Sequence, residues 1–224
     1  DTAPAVRQQI FDVACGVKSN RPVNGEYRLL ILDAPLHILN CEPGQFFHLL
    51  CPVAGSHQPY LRRPMSIYGY YPERGELHFL YKVTGEGTSA LATLEPGRSL
   101  DVLGPLGIGF EIKPSWKNLL LVARGVGLAT LAPLALEARL ERNLTAICSA
   151  RSADVLMSID YFRELGANVI TVTDADGSSS VDNLRALIGQ QIATSGIDAM
   201  YTCGSNRLLK LLQSIGKEHN IPGQ

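Results

Sequence analysis

Arg63-Pro64-Met65-Ser66 sets a guanidinium three residues ahead of a hydroxyl. An Arg held on extended backbone by a following Pro is a stiff donor suited to a pyrophosphate, and Ser66 could then place its hydroxyl near a ring that the phosphate tethers. Gly85-Glu86-Gly87-Thr88, at the start of a short helix, offers a second phosphate seat through free backbone N–H groups and the helix dipole. Further on, Gly125-Val126-Gly127 follows the apolar run Leu119–Val122 and precedes a stretch rich in Ala, Leu, Glu and Arg. That order reads as strand, glycine turn and helix, the arrangement by which an α/β sheet turns backbone N–H groups toward a nucleotide phosphate. Only Gly-x-Gly is present, without the third glycine of the full dinucleotide fingerprint, so the glycines equally suit a tight strand-to-helix turn. Each residue alone also has a plain reading: Arg62 or Arg63 as a solvated charge, Ser66 as a strand hydroxyl, and Cys203 as a buried thiol behaving as a small hydrophobe.

The elements that must position these groups fall into two kinds. Before residue 113 the chain is β-rich: a first segment over residues 1 to about 25, with alternation at 10–17 and a loop at Asn20, Arg21, Pro22 and Asn24, then EYRLLILD at 26–33, CEPGQFFHLLCP at 41–52, RRPMSIYGYY at 62–71, ELHFLYKV at 76–83 and a strand at 100–103. Short strands punctuated by turn residues predict an antiparallel β-barrel. Within it, 84–94 reads as a turn and a short helix capped by Thr88 or Ser89, and 104–110 as a glycine-rich loop. Two phosphate seats in one barrel suit a dinucleotide flavin. After Lys113-Pro114-Ser115 the period changes, with strands expected at 119–123, 144–149, 168–173 and 198–202 and helices near 128–142, 154–165, 181–193 and 205–218. Such alternation predicts a parallel sheet covered on both faces. The expected domains are 1–112 and 113–224.

Composition excludes several function classes. The 224 residues are 46% hydrophobic and carry a formal net charge of −1, with no dense basic stripe, which argues against nucleic acid or an anionic membrane surface as partner. No apolar run approaches the ~20 residues of a membrane span. Cys15, Cys41, Cys51, Cys148 and Cys203 are odd in number and far apart, so no metal-ligand loop is expected and reduced thiols in a cytoplasmic setting are.

With these motifs in order, the chain resembles the ferredoxin–NADP reductase superfamily, and most of all the electron-transfer subunits of the NAD-dependent dihydroorotate dehydrogenases. Arg63-Pro64-Met65-Ser66 is similar to the family's flavin motif and Gly85-Glu86-Gly87-Thr88 to its phosphate motif. Gly104-Pro105-Leu106-Gly107, Gly125-Val126-Gly127, Ser149-Ala150-Arg151-Ser152, Thr173–Ser178 and Cys203-Gly204 also match in order and spacing. The resemblance implies a two-domain NAD(P)H-dependent FAD oxidoreductase acting as a subunit, with a second redox subunit as partner. By it, Arg63, Pro64 and Met65 belong to the FAD site, Arg63 binds the pyrophosphate, and Ser66 hydrogen-bonds the isoalloxazine. Gly85, Gly87 and Thr88 hold phosphate. Gly125 and Gly127 admit the NAD(P) pyrophosphate, Arg151 and Ser152 lie near its adenosine ribose, and Cys203 and Gly204 sit by the nicotinamide. Ser66 and Cys203 are the residues closest to the chemistry. A [2Fe–2S] cluster is implied only if the native chain continues beyond Gln224. Departures are Ala123-Arg124 where the family has glycines, and Thr130 where it has proline. They favour a rival reading, a non-catalytic nucleotide-binding scaffold, beside the enzymatic alternative of a free-standing NAD(P)H-flavin or ferredoxin reductase.

Overall fold

The computed structural model describes residues 9–56 and 59–224. Its first half is an antiparallel sheet of β1 (Phe11–Pro22), β2 (Tyr27–Asp33), β3 (Phe46–Leu49), β4 (Arg63–Ser66), β5 (Gly69–Tyr71), β6 (Glu76–Lys82) and β7 (Ser99–Leu106), ordered β4-β3-β7-β1-β2-β6-β5. The sheet curls because β4 and β5 are consecutive in sequence yet lie at its opposite edges. Between them the Ile67 N–H donates to the Gln45 carbonyl next to β3, and the Tyr68 N–H to the His78 carbonyl on β6, so the connection draws the two edges together. Alternation sets the inner wall: Leu30 and Leu32 of β2 pack with Leu77, Phe79 and Tyr81 of β6 and with Phe47. The helix α1 (Glu86–Leu91) contributes Leu91 to this core. Asn20 of β1 fixes its end by donating to the Leu91 and Leu94 carbonyls at 2.9 and 3.0 Å.

The second half comprises β8 (Asn118–Arg124), α2 (Gly127–Ala138), β9 (Asn143–Ala150), α3 (Ile159–Glu164), β10 (Asn168–Thr173), α4 (Val181–Ser195), β11 (Ala199–Cys203) and α5 (Asn206–His219). Its strands are parallel, in the order β10-β9-β8-β11. Leu119 and Leu121 face α2, whereas Leu120 and Val122 pack toward α4 and α5, which is why β8 reads as an unbroken apolar run. The expected 112/113 division falls in the connection between β7 and β8. This connection does not separate two independent cores. Tyr27, Leu29 and Leu80, on the outer wall of the barrel, share a cluster with Leu128, Leu131 and Ala135 of α2. Clamped between sheet and barrel, α2 is apolar nearly all round.

Several expectations need correction. Asn20, Arg21 and Pro22 continue β1 rather than opening a loop. Residues 62–71 form two short strands, split where the chain crosses between the sheet edges. Gly104, Pro105 and Leu106 are not loop but the end of β7, Gly104 opposite Phe11 and Leu106 opposite Phe46. Gly104 is there because any Cβ would run into the Phe47 ring, a packing demand that looks like a turn signal in sequence. α1 is capped by Gly85, with Thr88 in its first turn, so neither Thr88 nor Ser89 is the cap. The α2 helix stops at Ala138, short of 142. Instead of one helix over 154–165, a 3-10 turn at Ala153–Val155 precedes α3, because Val155 and Met157 drop into the core and Ser158 takes a left-handed φ of 60°. Residues 1–8 of the expected first segment lie outside the described residues.

Candidate nucleotide sites

The barrel-side site is built where β4 meets α1. Gly87 is buried, and a Cβ there would stand 2.6 Å from Arg63 Nε, so the Arg63 side chain lies directly against the first turn of the helix. Nη1 of Arg63 also donates to the Leu61 carbonyl, which fixes the guanidinium from the other side. Thr88 serves the turn that precedes α1: its Oγ1 accepts from the N–H groups of Thr84 and Gly85 at 2.9 and 3.1 Å and donates to the Gly85 carbonyl. A cation, a helix start and a space that tolerates no side chain together fit one end of a dinucleotide. The neighbouring cation is used differently. Arg62 grips both carboxylate oxygens of Asp12 at 2.9 and 3.0 Å and so is structural. Pro64 and Met65 lie opposite His48 and Phe47 on β3, and half-buried Ser66 ends the strand opposite Phe46.

The second site lies at the carboxyl ends of the parallel strands. From β8 the chain passes through α2 to β9 on one side, while β11 lies on the other, so the ends of β8 and β11 flank the crevice where open α/β sheets take their ligands. Gly125 has φ +54° and donates its N–H to the Ser149 carbonyl at 3.1 Å. A Cβ on Gly127 would lie 2.8 Å from the Gly204 nitrogen and closer still to the Cys203 carbonyl. Gly204, at φ +93°, likewise faces the Arg124 carbonyl and the Gly127 backbone. The structure therefore brings Gly125, Gly127, Cys203 and Gly204 together, with Cys203 half-buried at the rim.

Arg151 and Ser152 follow β9. Arg151 is exposed, and its Nη2 donates at 2.8 Å to Glu26, which also takes Lys82 at 2.7 Å. The Ser152 side chain bonds to Asp154, and this is the first cause holding the Asp154 carboxyl below its ordinary value.

Residues that the sequence did not single out complete the seam between the halves. Glu26, Tyr27 and Lys82 from the barrel and Arg124, Gly125 and Arg151 from the sheet line a cavity of about 240 Å³. Arg124 spans the top of β9 to reach Asp174 after β10, and that pairing, followed by the bond from Ser179, pulls the Asp174 carboxyl down to about 2. Arg124 was visible only as a departure from glycine; the barrel residues gave no signal, because they reach the site through tertiary packing. A larger groove of about 710 Å³ between α5 and residues 220–224 contains none of the expected cofactor residues.

No protein-family model matches the chain. Among curated proteins it is similar to the dihydroorotate dehydrogenase B (NAD(+)) electron transfer subunit of Bacillus cereus strain G9842, 34% identical over 198 residues covering 86% of this chain and 73% of that protein. The subunit of the same name from Desulforamulus reducens is 29% identical over 193 residues, with the same coverage. Among solved structures, an NADH-dependent reduced ferredoxin-NADP oxidoreductase described for flavin-based electron bifurcation superposes with a TM-score of 0.76 at 25% identity, covering 93% of this chain and 74% of that one. The ferredoxin-NADP+ reductase of Plasmodium falciparum shares the fold at a TM-score of 0.72 and 12% identity, covering 95% of each chain.

Proposed function

The chain belongs to the family of the dihydroorotate dehydrogenase B electron-transfer subunits, and on that premise we propose that it is an oxidoreductase subunit passing electrons between NAD(P)H and a partner's redox centre through FAD. The observation that carries the reading is the packing of Arg63 against Gly87 at the start of α1, in a chain whose second half seats glycines at a sheet switch point. Residues 1–112 form the flavin domain and 113–224 the nicotinamide-nucleotide domain. Arg63, Gly85, Gly87 and Thr88 hold the flavin pyrophosphate, Pro64 and Met65 shape the strand beside it, and Ser66 orients the ring. Gly125 and Gly127 admit the second pyrophosphate, Arg151 and Ser152 flank its adenosine ribose, and Cys203 and Gly204 border the nicotinamide. Bound FAD supplies a hydride acceptor that can release its electrons singly or as a pair. The chain's own residues bind, orient and exclude water, so the transfer needs no acid–base pair of side chains.

The five cysteines are free thiols, and burial pushes Cys15 to about 11 and Cys41 and Cys148 to about 12, which makes these three poor thiolate donors to an iron centre. In the proposed route the electrons pass from the flavin to the redox centre of a partner subunit. No described helix is long and apolar enough to cross a membrane. Anaerobic titration of the FAD-loaded protein with NADH is expected to bleach the flavin absorbance near stoichiometry. A flavin spectrum unmoved by NADH and by NADPH alike would defeat the proposal.

Nucleotide preference should follow the Arg151–Glu26 pair. With its guanidinium committed to Glu26, Arg151 is withheld from a ribose 2′-phosphate, so stopped-flow reduction is expected to be faster with NADH than with NADPH. Glu26→Gln should release Arg151 and improve NADPH several-fold, since a charge-assisted bond is lost from one partner and gained by the phosphate. A wild-type preference for NADPH that disappears in Arg151→Ala would reverse the assignment.

A further inference from the structure

Arg124 ends β8 immediately before the glycine turn, and its guanidinium is engaged at Nη1 and at the Nη1/Nη2 end while the edge of Nε and Nη2 stays free among the described residues. Nη1 donates to Ser149 Oγ at 3.2 Å, to the Ala150 carbonyl at 3.4 Å and to Asp174 Oδ1 at 3.1 Å, while Nη2 donates to Asp174 Oδ2. A guanidinium carries five N–H groups, and these contacts leave Nε–H and one Nη2–H without an acceptor among the described residues. The same side chain, about a quarter exposed, lines the 240 Å³ seam cavity next to Gly125.

Charge around that cavity is unbalanced in one direction. Arg124, Arg151 and Lys82 line it against the single carboxylate of Glu26, while Asp174, outside the lining, pairs first with Arg124 and also lies 3.6 Å from Arg207, so the six groups together keep two positive charges in excess. The resulting excess matches the two negative charges of a dinucleotide's pyrophosphate. A partly exposed Arg–Asp pair by itself contributes little to stability, so holding the fold together is a weak account of so many fixed contacts. A planar guanidinium pinned along one edge by a carboxylate keeps its remaining donors in a set direction, the geometry that planar anion recognition requires.

We infer that Arg124 is a binding residue for the pyrophosphate of the nicotinamide dinucleotide, received in the seam cavity, with Asp174 positioning the guanidinium from behind. The inference deepens the proposed function and rests on it. It gives the ligand a side-chain cation at the one step of the turn where a glycine would offer only backbone.

The test uses the FAD-loaded protein and follows binding of NAD+ by calorimetry, with inorganic pyrophosphate as competitor. Arg124→Ala is expected to weaken NAD+ by ten- to a hundredfold, as loss of a charged hydrogen-bond pair implies, and to abolish competition by pyrophosphate. Arg124→Lys, which keeps the charge without the fork, should fall between. FAD content should be the same in all three proteins. NAD+ affinity within twofold of wild type in Arg124→Ala overturns the inference even if its melting temperature drops, because that pattern marks a purely structural pair. Loss of FAD in place of loss of NAD+ overturns it too, by assigning the cavity to the flavin. Failure of wild-type protein to bind either nicotinamide dinucleotide removes the proposed function along with this inference, whereas wild-type binding unaffected by the substitution removes this inference alone.

Discussion

Alanine at Gly127 is expected to destabilise the chain by about 3 kcal/mol and to weaken nicotinamide nucleotide binding at least tenfold. The added Cβ would meet the Cys203 carbonyl and the Gly204 nitrogen, both backbone atoms of a strand end that also approaches the Arg124 carbonyl. No rotamer change can relieve a clash between main-chain segments, so the ends of β8 and β11 must move apart. Those ends border the proposed nicotinamide crevice, and stability and binding should therefore fall together. Urea unfolding combined with NADH titration reads both; normal stability with normal NADH reduction would show that the two strand ends are not held as described. Gly87→Ala is the informative contrast, because its Cβ meets the Arg63 side chain, which can swing away. That variant should stay folded and lose flavin.

Arg63→Ala carries the second large effect. Removing a guanidinium fixed between the Leu61 carbonyl and the first turn of α1 takes away the proposed phosphate contact, roughly 1.5–3 kcal/mol, enough for most of the FAD to be lost on gel filtration. Ser66→Ala should retain FAD while slowing its reduction by NADH, since a hydroxyl aimed at the ring contributes to orientation more than to anchoring. Absorbance of the purified proteins and stopped-flow traces separate the two. Full FAD content in Arg63→Ala would remove this residue from the site, and equal flavin loss in both variants would contradict the division of roles.

What could be read beforehand was whatever is written in local period and punctuation. The apolar run of β8, the glycine turn after it and the strand run of β2 are determined by neighbours in sequence, and they appear where the pattern places them. The misreadings occur where distant residues decide. Gly104 looks like a loop glycine but is selected by the Phe47 ring across the barrel; Thr88 looks like a cap but serves the turn that precedes its helix. Arg62 and Arg63 are indistinguishable as a dipeptide, and Asp12, about fifty residues earlier, makes the first structural and leaves the second beside α1. In the same way Glu26 and Lys82 join Arg151 at the seam through a domain contact that no local spacing records.

The sharing of α2 between barrel and sheet bears on how such a molecule changes over generations. Leu29 and Leu80 belong to the wall of one half, yet they press on the helix whose first residue is Gly127. A volume change at either would be transmitted to the turn proposed to seat the nicotinamide nucleotide, without touching any residue of that turn. Exchange of one half for that of a distant relative would leave α2 against a wall shaped for another helix. The two halves are therefore expected to change in step, because a substitution on the barrel's outer wall is felt by the helix that begins at Gly127.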